Sequence, residues 1–284
     1  MKDRAYAKIN LSLDVFNIRD DGYHDIKSIM LPINFYDELT INISDHDLYN
    51  CNKTFLKFDE RNSVVKMIEL LKDRYDIKDH YDVYLDKLVP IKAGLGGGTS
   101  DAAAALRIFQ RMYKLKMSEE EIIDICLKVG ADVPFNYYNV PSIVEGIGDK
   151  ITPFKLKNDY YVLLVKPKSG VSTKRAYELL DMNKCDHPDI DRLHNALVNG
   201  DSIKGLLGNS LEQSALLIND DIKTIKDILN GYDVDGVLMS GSGSTMFCID
   251  EDKYKIKNIY ERLKHHKYFV RFTNVLNRWI LYNI

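Results

Sequence analysis

A glycine-rich segment at residues 90–106 constrains the fold of this chain more than any other stretch. Its sequence is PIKAGLGGGTSDAAAAL, in which four glycines and two hydroxyl residues stand between an extended run and an alanine-rich stretch. Glycine lacks a Cβ atom, so its backbone reaches positive φ and can lie close against a ligand. Backbone N–H groups in such a turn can face one point, and the start of a following helix adds an aligned dipole. The segment therefore predicts an anion-binding turn leading into a helix, with Thr99 or Ser100 as the helix cap.

Two better-known glycine motifs would imply other folds, and the segment matches neither. A P-loop has a lysine directly after its last glycine, and no lysine follows these glycines. A dinucleotide-binding fingerprint that starts at Gly94 requires glycine at the position of Thr99. A flexible connection between a strand and a helix, with no ligand, stays open on these residues alone.

The charge composition limits the partners of the protein. The 284 residues include 39 Lys and Arg against 42 Asp and Glu, with no basic block, which argues against a nucleic-acid surface or a polybasic membrane anchor. The N-terminus lacks the continuous apolar region of a signal peptide, and the longest strongly apolar run, residues 160–165, is far too short to cross a bilayer. We expect a cytoplasmic protein with a small-molecule substrate, no nucleic-acid or membrane partner, and a monomeric or weakly homodimeric state.

The cysteines support the same location. Cys51, Cys126, Cys185 and Cys248 are far apart in the sequence and form no C-x-x-C pair. Their spacing predicts neither a zinc site nor a disulfide framework, and a reducing compartment suits them.

Hydrophobic periodicity predicts the elements of the first half. Apolar and polar residues alternate over residues 5–15, which is typical of a half-buried strand and places Lys8 and Asn10 on one face. An ordinary solvated sheet surface also fits that face. A turn at residues 20–22 precedes an extended region, in which Pro32 indicates an edge or a break. The other predicted elements are the rest of that extended region over 29–43, a helix over 59–75, a strand over 81–85, a helix over 101–115 and a capped helix over 118–130.

Asp132 occupies an unusual position in this pattern. It follows the predicted end of a helix and precedes an apolar pair, Val133 and Pro134. A carboxylate there needs solvent or a partner. An aspartate in an ordinary turn explains the position equally well.

The second half begins where Gly146, Gly148 and Pro153 interrupt the pattern. We therefore predict an α+β protein of two domains, residues 1–152 and 153–284, without an internal repeat. A second glycine-rich loop, MSGSGST at 239–245, lies between two apolar strands, and a plain hairpin turn also fits it. The predicted elements are a strand over 161–166, a helix that contains Tyr177, a mostly helical region over 181–235, strands within 236–249, a helix over 251–264 and a strand over 268–275.

Six segments, in this order along nearly the whole chain, resemble the GHMP small-molecule kinases. This resemblance is more specific than any glycine run, and it implies a two-domain α+β fold with the active site in the cleft between the domains. The first two segments and the form of the glycine-rich segment favour the branch that acts on a cytidine diphosphate conjugate of methylerythritol, over homoserine, mevalonate or galactose kinases. The six segments are AKINL at 7–11, RDDGYH at 19–24, the segment at 90–106, GADVPF at 130–135, GVST with Tyr177 at 170–177, and MSGSGST at 239–245.

The resemblance implies that Lys8 and Asp132 are the catalytic pair. Phosphoryl transfer depends mainly on positioning and charge neutralisation, and an aspartate can accept the proton of the attacking hydroxyl. A lysine within hydrogen-bond reach keeps that aspartate ionised and can meet the γ-phosphate. Whether Asp132 acts as a full base or orients the hydroxyl stays open.

The resemblance also assigns the binding residues. ATP would bind with Mg²⁺, which offsets the phosphate charge, and no protein ligand of the metal is predicted. Aromatic rings would stack on the cytosine, and His24 would hydrogen-bond it. The second glycine-rich loop would close over the reacting groups. The predicted ATP-binding residues are Asn62, Pro90, Gly94, Leu95, Gly96, Gly97, Gly98, Thr99 and Ser100; the substrate-binding residues are Asn10, Tyr23, His24, Thr173 and Tyr177; and the loop residues are Gly241, Ser242, Gly243 and Ser244.

These assignments imply an ATP-dependent kinase that phosphorylates the 2-hydroxyl of the cytidylated methylerythritol in non-mevalonate isoprenoid synthesis. Another GHMP kinase, acting on a different small alcohol, is the rival within the family. Tyr23, His24 and Tyr177 argue against it, because a bare sugar or homoserine needs no ring to stack on. A nucleotide-binding regulatory module without turnover is the rival outside the family, and the presence of both Lys8 and Asp132 argues against it.

Overall fold

A computed structural model describes residues 1–20 and 22–277, which mix strands and helices. The strands are β1 Lys2–Ile18, β2 His24–Ser44, β3 Leu48–Cys51, β4 His80–Asp86, β5 Ser142–Gly146, β6 Lys150–Pro153, β7 Tyr161–Lys166, β8 Gly208–Asn209, β9 Gly236–Met239, β10 Met246–Asp250 and β11 Phe269–Asn274. The helices are α1 Ser63–Arg74, α2 Gly97–Tyr113, α3 Glu119–Val129, α4 Val133–Tyr138, α5 Thr173–Glu178, α6 Ile190–Asn199, α7 Glu212–Ile218, α8 Asp220–Asn230 and α9 Lys253–Leu263.

These elements group into two compact units, each discontinuous in sequence. The first unit contains residues 1–7, 35–91 and 96–139, and the second contains residues 8–34, 92–95 and those from 140 onward. The units therefore do not follow a single cut in the chain. The predicted boundary between residues 152 and 153 stays a prediction.

The first unit packs a four-helix layer on a sheet. Strand β4 pairs antiparallel with β2 from His80 to Asp86 and parallel with β3. One face of α1 is buried, including Val64, Ile68 and Leu71, as its helical spacing predicts. The run of alanines in α2, residues 102–105, is fully buried, because small side chains let a helix backbone come close to its neighbours.

The first turn of α2 differs from the prediction. The helix begins at Gly97, not at residue 101, and its N-cap residue is Gly96 in the left-handed region at φ 67°. The hydroxyls of Thr99 and Ser100 donate to the carbonyl oxygens of Gly96 and Gly97, both at 2.9 Å. The prediction that either residue caps the helix is therefore wrong. Both lie inside the first turn, where a carbonyl one turn back is the nearest partner of a hydroxyl.

The second unit contains two sheets. One has the strand order β6-β5-β2-β1-β8, and the other is an antiparallel sheet ordered β11-β7-β10-β9. Helices α5, α7, α8 and α9 cover apolar side chains of β7 and β10, including Leu163, Val165 and Met246. Met239 pairs with Met246, so the second glycine-rich loop is the turn of an antiparallel hairpin.

The sequence analysis did not predict β3, α4, β8 or the β5–β6 hairpin. Gly146 and Gly148 have positive φ, 70° and 107°, and form the turn of that hairpin rather than a break in the pattern. Strand β2 continues through Pro32, so the predicted break is absent. Proline is tolerated there because it lies between Met30, which pairs with β5, and Glu38, which pairs with β4.

The cysteines of the described residues, Cys51, Cys126, Cys185 and Cys248, are free thiols. In the ranges 1–20 and 22–277, the helices are all too short or too polar to cross a membrane.

Candidate active site

The polar face of β1 is buried in the second unit. Lys8, Asn10 and Ser12 are 3%, 1% and 0% exposed, and Ile9 and Leu11 on the other face are also buried. This stretch of strand is therefore buried on both faces, and the predicted half-buried strand is wrong here. Buried polar side chains need hydrogen-bond partners. This face is therefore not an ordinary solvated sheet surface.

A chain of hydrogen bonds crosses this face from β1 to β2. The Lys8 ammonium donates to Asn10 Oδ1 at 2.8 Å, and Asn10 Nδ2 donates to Ser28 Oγ at 2.9 Å. The Ser28 hydroxyl donates to the carbonyl oxygen of Ser12 at 2.6 Å. Each donor is matched to one acceptor, which fixes the Asn10 amide and, through it, one direction of the Lys8 amine.

Two glycine-rich segments of the main chain meet beside the Lys8 amine. The backbone N–H of Lys8 donates to the carbonyl oxygen of Leu95 at 3.0 Å. Ser240 Oγ donates to the carbonyl oxygen of Gly94 at 2.9 Å. A Cβ atom built at Gly241 would lie 3.4 Å from Lys8 Nζ. The residues Gly94, Leu95 and Gly241 are thus brought together with Lys8.

The predicted substrate-binding residues of the second unit form two further pairs. The rings of His24 and Tyr177 are 4.8 Å apart between centroids, and burial lowers the pKa of His24. A neutral imidazole has one donor and one acceptor nitrogen, which suits recognition of a base edge. Thr173 Oγ1 and Ser242 Oγ lie 2.7 Å apart and link α5 to the second glycine-rich loop. Tyr23 is 60% exposed.

In the first unit, the start of α2 presents backbone donors. The first intrahelical bond runs from Ser100 N to the carbonyl oxygen of Gly96, so the N–H groups of Gly97, Gly98 and Thr99 precede it. Gly98 is exposed, and a Cβ atom built on it would meet only Ser63 Oγ, at 3.6 Å. Helix N-termini of this kind attract anions.

The other residues of this unit that were predicted to contact the nucleotide are Asn62, Pro90 and Ser100. Asn62 accepts from Val64 N and donates to the carbonyl oxygen of Lys57, so its amide caps α1. Pro90 is half-buried. Ser100 is fully buried, and its hydroxyl already donates to Gly97. Contacts to a nucleotide from these three residues stay predictions.

Asp132 stands at the start of the short helix α4 in the first unit. Its side chain makes no capping hydrogen bond to that helix. Gly130, two residues earlier, packs on the first turn of α2, since a Cβ atom there would lie 3.2 Å from Thr99 Cγ2. Asn136, on α4, donates to Thr99 Oγ1 at 2.8 Å. The segment that carries Asp132 is therefore fixed to the first turn of α2.

The chain resembles proteins of known family over its full length. A model described as the GHMP kinases N terminal domain matches residues 62–140, and one described as GHMP kinases C terminal matches residues 184–268. A 4-diphosphocytidyl-2-C-methyl-D-erythritol kinase of Clostridium beijerinckii is 39% identical over 268 residues, which are 93% of this chain and 96% of that protein. The chain belongs to the 4-diphosphocytidyl-2-C-methyl-D-erythritol kinase family of GHMP kinases.

Solved structures agree with this membership. A crystal structure of a 4-(cytidine 5'-diphospho)-2C-methyl-D-erythritol kinase matches this kinase with a TM-score of 0.81 and 26% identity, over 97% of this chain and 100% of that one. A homoserine kinase from Cytophaga hutchinsonii matches with a TM-score of 0.74 and 16% identity, over 96% of each chain, which shows a shared fold only. The predicted two-domain GHMP kinase fold is confirmed, and the kinases of this family use ATP.

Sequence reasoning missed two side chains that support the kinase's predicted site residues. Ser28 carries the hydrogen-bond chain from Asn10 to Ser12, and Asn136 fixes Thr99 in the first turn of α2. Asn136 directly follows the GADVPF segment, which is a signal that could have identified it. Ser28 lies in a strand with no motif, and only the pairing of β2 with β1 reveals it.

A buried ionic triad lies under the start of α2 in the first unit. Lys87 Nζ donates to Asp37 Oδ2 at 2.5 Å and to Asp101 Oδ2 at 2.6 Å, and all three residues are less than 5% exposed. Asp37 Oδ1 also accepts from the N–H groups of Leu88 and Val89. A Cβ atom at Gly97 would lie 3.1 Å from Lys87 Nζ. The triad therefore joins β2, the residue that follows β4, and α2 beneath the predicted phosphate site.

Of the two carboxyl groups in the triad, Asp101 is the one whose pKa is raised. Burial raises the pKa of Asp101 most, and the negative charge of Asp37 adds to it, while the Lys87 ammonium acts in the opposite direction. Burial lowers the pKa of Lys87, but the two carboxylates outweigh it and raise that pKa overall. Asp101 Oδ1 has no hydrogen-bond partner, so Asp101 is the less well stabilised carboxylate.

The triad predicts the effect of removing its cation. Lys87→Met should lower the free energy of unfolding by about 3–5 kcal/mol at pH 7, because two buried carboxylates lose their shared counter-charge. Chemical denaturation followed by circular dichroism measures this change.

Asp101→Asn is the matched control, since it keeps the volume and an acceptor for Lys87. It should cost far less stability than Lys87→Met. The folded protein holds the Asp101 proton more tightly than the unfolded chain, so wild-type stability should fall as the pH rises from the ordinary aspartate pKa through the raised one. The asparagine variant should show a smaller fall. Equal stabilities of Lys87→Met and wild type would contradict the triad.

Proposed function

We propose that the protein transfers the γ-phosphoryl group of ATP to the 2-hydroxyl of 4-diphosphocytidyl-2-C-methyl-D-erythritol, in non-mevalonate isoprenoid precursor synthesis. The observation that carries the proposal is the match to kinases of that name over 93% of this chain. The buried Lys8 beside two glycine-rich main chains supports it from the geometry of the second unit. The cytoplasmic location, the lack of nucleic-acid or membrane partners, and the monomer or weak homodimer stay predictions.

We place the ATP phosphates on the backbone N–H groups of Gly97, Gly98 and Thr99. These donors precede the first intrahelical bond of α2, and the helix dipole adds to their attraction for an anion. The Thr99 and Ser100 hydroxyls hold the turn together, so their part is to shape the site rather than to bind phosphate directly. Gly94, Leu95 and Gly96 would lead the main chain into this turn, and Asn62 and Pro90 would border the adenine.

Mg²⁺ fits this arrangement as an ion that arrives with the nucleotide. Within the described part of the chain, His, Cys, Asp and Glu side chains form no cluster of three or more that could hold a metal. Mg²⁺ usually keeps several waters and binds through substrate phosphates with one or two carboxylates. When bound, it would neutralise phosphate charge during transfer. Asp132 is the carboxylate beside the start of α2 that could join it.

We assign the proton transfer to Asp132 and the charge neutralisation to Lys8. Gly130 and Asn136 hold the segment that carries Asp132 against Thr99 in the first turn of α2, which suits a group that accepts the proton of the attacking hydroxyl. The Lys8 amine is oriented by Asn10 and held beside Gly241, which suits a cation that meets a developing phosphoryl charge. Positioning and electrostatics supply most of the catalysis in such transfers.

The acceptor substrate would bind to residues of the second unit. The His24 and Tyr177 rings lie close enough to enclose one face and the edge of a cytosine, and Tyr23 adds an exposed ring next to His24. Asn10 and Thr173 would donate hydrogen bonds to the diphosphate and methylerythritol parts. Gly241, Ser242, Gly243 and Ser244 would close over the reacting groups, with Ser242 linked to Thr173.

Gly98→Ala tests the phosphate site without disturbing the fold. The new methyl group meets only ordinary van der Waals contact, and alanine favours a helix, so stability should hold or rise by about 0.5–1 kcal/mol. The methyl group would stand among the proposed phosphate donors, so the Kd of a non-hydrolysable ATP analogue with Mg²⁺ should rise about tenfold or more. Calorimetric titration measures it.

Gly97→Ala is the companion variant. Its Cβ atom would lie 3.0 Å from Val89 Cγ1, so it should lose stability as well as affinity. Unchanged analogue binding by a folded Gly98→Ala protein would remove the start of α2 from the site.

Asp132→Asn tests the assigned proton acceptor. The amide keeps the size of the carboxylate but cannot accept the hydroxyl proton, so kcat should fall at least ~10²-fold. The Kd of the ATP analogue should stay near the wild-type value. Asp124→Asn, on the surface of α3 where the carboxylate pairs with Lys128, is the control and should keep wild-type kcat. Near-normal turnover by Asp132→Asn would rule out this role.

Acceptor specificity tests the proposed substrate. ATP consumption should be supported by the cytidylated methylerythritol and not by homoserine, mevalonate or galactose. Tyr177→Ala should weaken acceptor binding by roughly 1–3 kcal/mol and leave ATP affinity unchanged, because a base loses its stacking partner. Turnover of one of the other three alcohols at a higher kcat/KM would replace the proposed substrate. Equal losses of acceptor and ATP affinity would contradict the role of Tyr177.

A further inference from the structure

Two buried side chains, Asn209 and Glu212, bind the main chain at the entrance of the second glycine-rich loop. Neither belongs to a segment that the sequence analysis singled out. Asn209 ends β8 and pairs in parallel with Leu13 of β1, the strand that carries Lys8. Glu212 begins α7. Their side chains are almost fully enclosed, with 2% and 7% exposure.

Asn209 uses every part of its amide. Nδ2 donates to the carbonyl oxygens of Met239 at 2.9 Å and Gly241 at 2.8 Å. Oδ1 accepts from the N–H of Leu211 at 2.9 Å, which fixes the orientation of the amide. Aspartate has the same shape but no donor, so it could make neither bond to the loop.

Glu212 binds the same stretch of main chain from the other side. Its Oε2 accepts from the N–H of Met239 at 3.1 Å, and its Oε1 pairs with the Lys226 ammonium of α8. The N–H and carbonyl of Met239 and the carbonyl of Gly241 are thus all bound by two side chains. Hydrogen bonds to a charged acceptor are stronger than neutral ones, so this is a firm attachment.

The attached main chain lies directly against the Lys8 amine. Gly241 has φ 53°, and a Cβ atom there would lie 3.4 Å from Lys8 Nζ, 3.4 Å from Asn10 Oδ1 and 3.2 Å from the carbonyl oxygen of Gly94. The main chain at Gly241 is therefore a close neighbour of the Lys8 and Asn10 side chains. Release of the loop would therefore change the surroundings of Lys8.

We infer that Asn209 and Glu212 are positioning residues for phosphoryl transfer, which hold the second glycine-rich loop at its distance from the Lys8 amine. They act through the main chain of residues 239–241 and leave the binding of the nucleotide phosphates to the start of α2. The inference rests on the proposed role of Lys8. A mutation far from the reacting atoms that displaces them by about 1 Å can reduce the rate about 10²-fold. We expect an effect on kcat of up to this size.

Asn209→Asp is the decisive variant. We expect kcat to fall about 10- to 100-fold, with the Kd of a non-hydrolysable ATP analogue little changed. We also expect faster amide hydrogen exchange, measured by mass spectrometry, in the peptide that contains residues 239–241. A purely structural role would lower stability without this pattern.

Glu212 supplies a second pair of variants. Glu212→Gln keeps an oxygen that can accept from Met239 N and should keep most of the kcat, whereas Glu212→Met removes the acceptor and should behave like Asn209→Asp. The control is Asp189→Ala, which removes the N-cap of α6 in the same unit and should lower stability but not kcat.

Several results would overturn the inference. Wild-type kcat and unchanged exchange at residues 239–241 in Asn209→Asp would do so, as would equal kcat losses in Glu212→Gln and Glu212→Met or a comparable loss in Asp189→Ala. Lys8→Met separates the two proposals. Normal turnover of that variant would reject the role of Lys8 itself, whereas an inactive Lys8→Met beside a fully active Asn209→Asp would reject only the positioning role.

Discussion

The contact between two glycine-rich main chains sets the geometry of the second unit. A Cβ atom at Gly94 would lie 2.0 Å from the carbonyl oxygen of Ser240, and Gly94 has φ 72°, so only glycine allows this approach. Thr245 N donates to the carbonyl oxygen of Ala93 on the same junction. Because main-chain atoms form the contact, changes of side-chain rotamer cannot adjust it. The position of Lys8 relative to both glycine-rich segments is therefore fixed.

The protein uses buried lysines in two different ways. Lys87 lies between Asp37 and Asp101, and these carboxylates account for its stabilising bonds within the first unit. Its part is to hold β2, β4 and α2 together beneath the start of the helix. Lys8 is oriented by a neutral amide, Asn10, whose own position depends on Ser28.

Much of the fold and part of the candidate site could be predicted from the sequence. Periodicity located β1 and α1, because their apolar residues repeat at the strand or helix interval, and a continuous apolar run located β7. Glycine content located both loops, because close main-chain contact excludes other residues. The burial of Lys8, Asn10 and Ser12 could not be predicted, since a polar face with period two looks the same in solvent and under a second layer. The hairpin over residues 142–153 was missed because its glycines resemble a boundary.

The residues that position the site escape sequence reasoning for a physical reason. Asn136, Asn209 and Glu212 bind backbone groups or hydroxyls that lie 27 to 40 residues away in the chain. Every residue has a backbone carbonyl, so the residue type does not show which carbonyl accepts the hydrogen bond. In the sequence, the polar residue alone resembles one in a turn or a helix cap. Such residues are recognisable only as buried polar side chains whose bonds converge on a loop. In this kinase they converge on the first turn of α2 and on the second glycine-rich loop, where a small displacement would have the largest effect on the reacting groups.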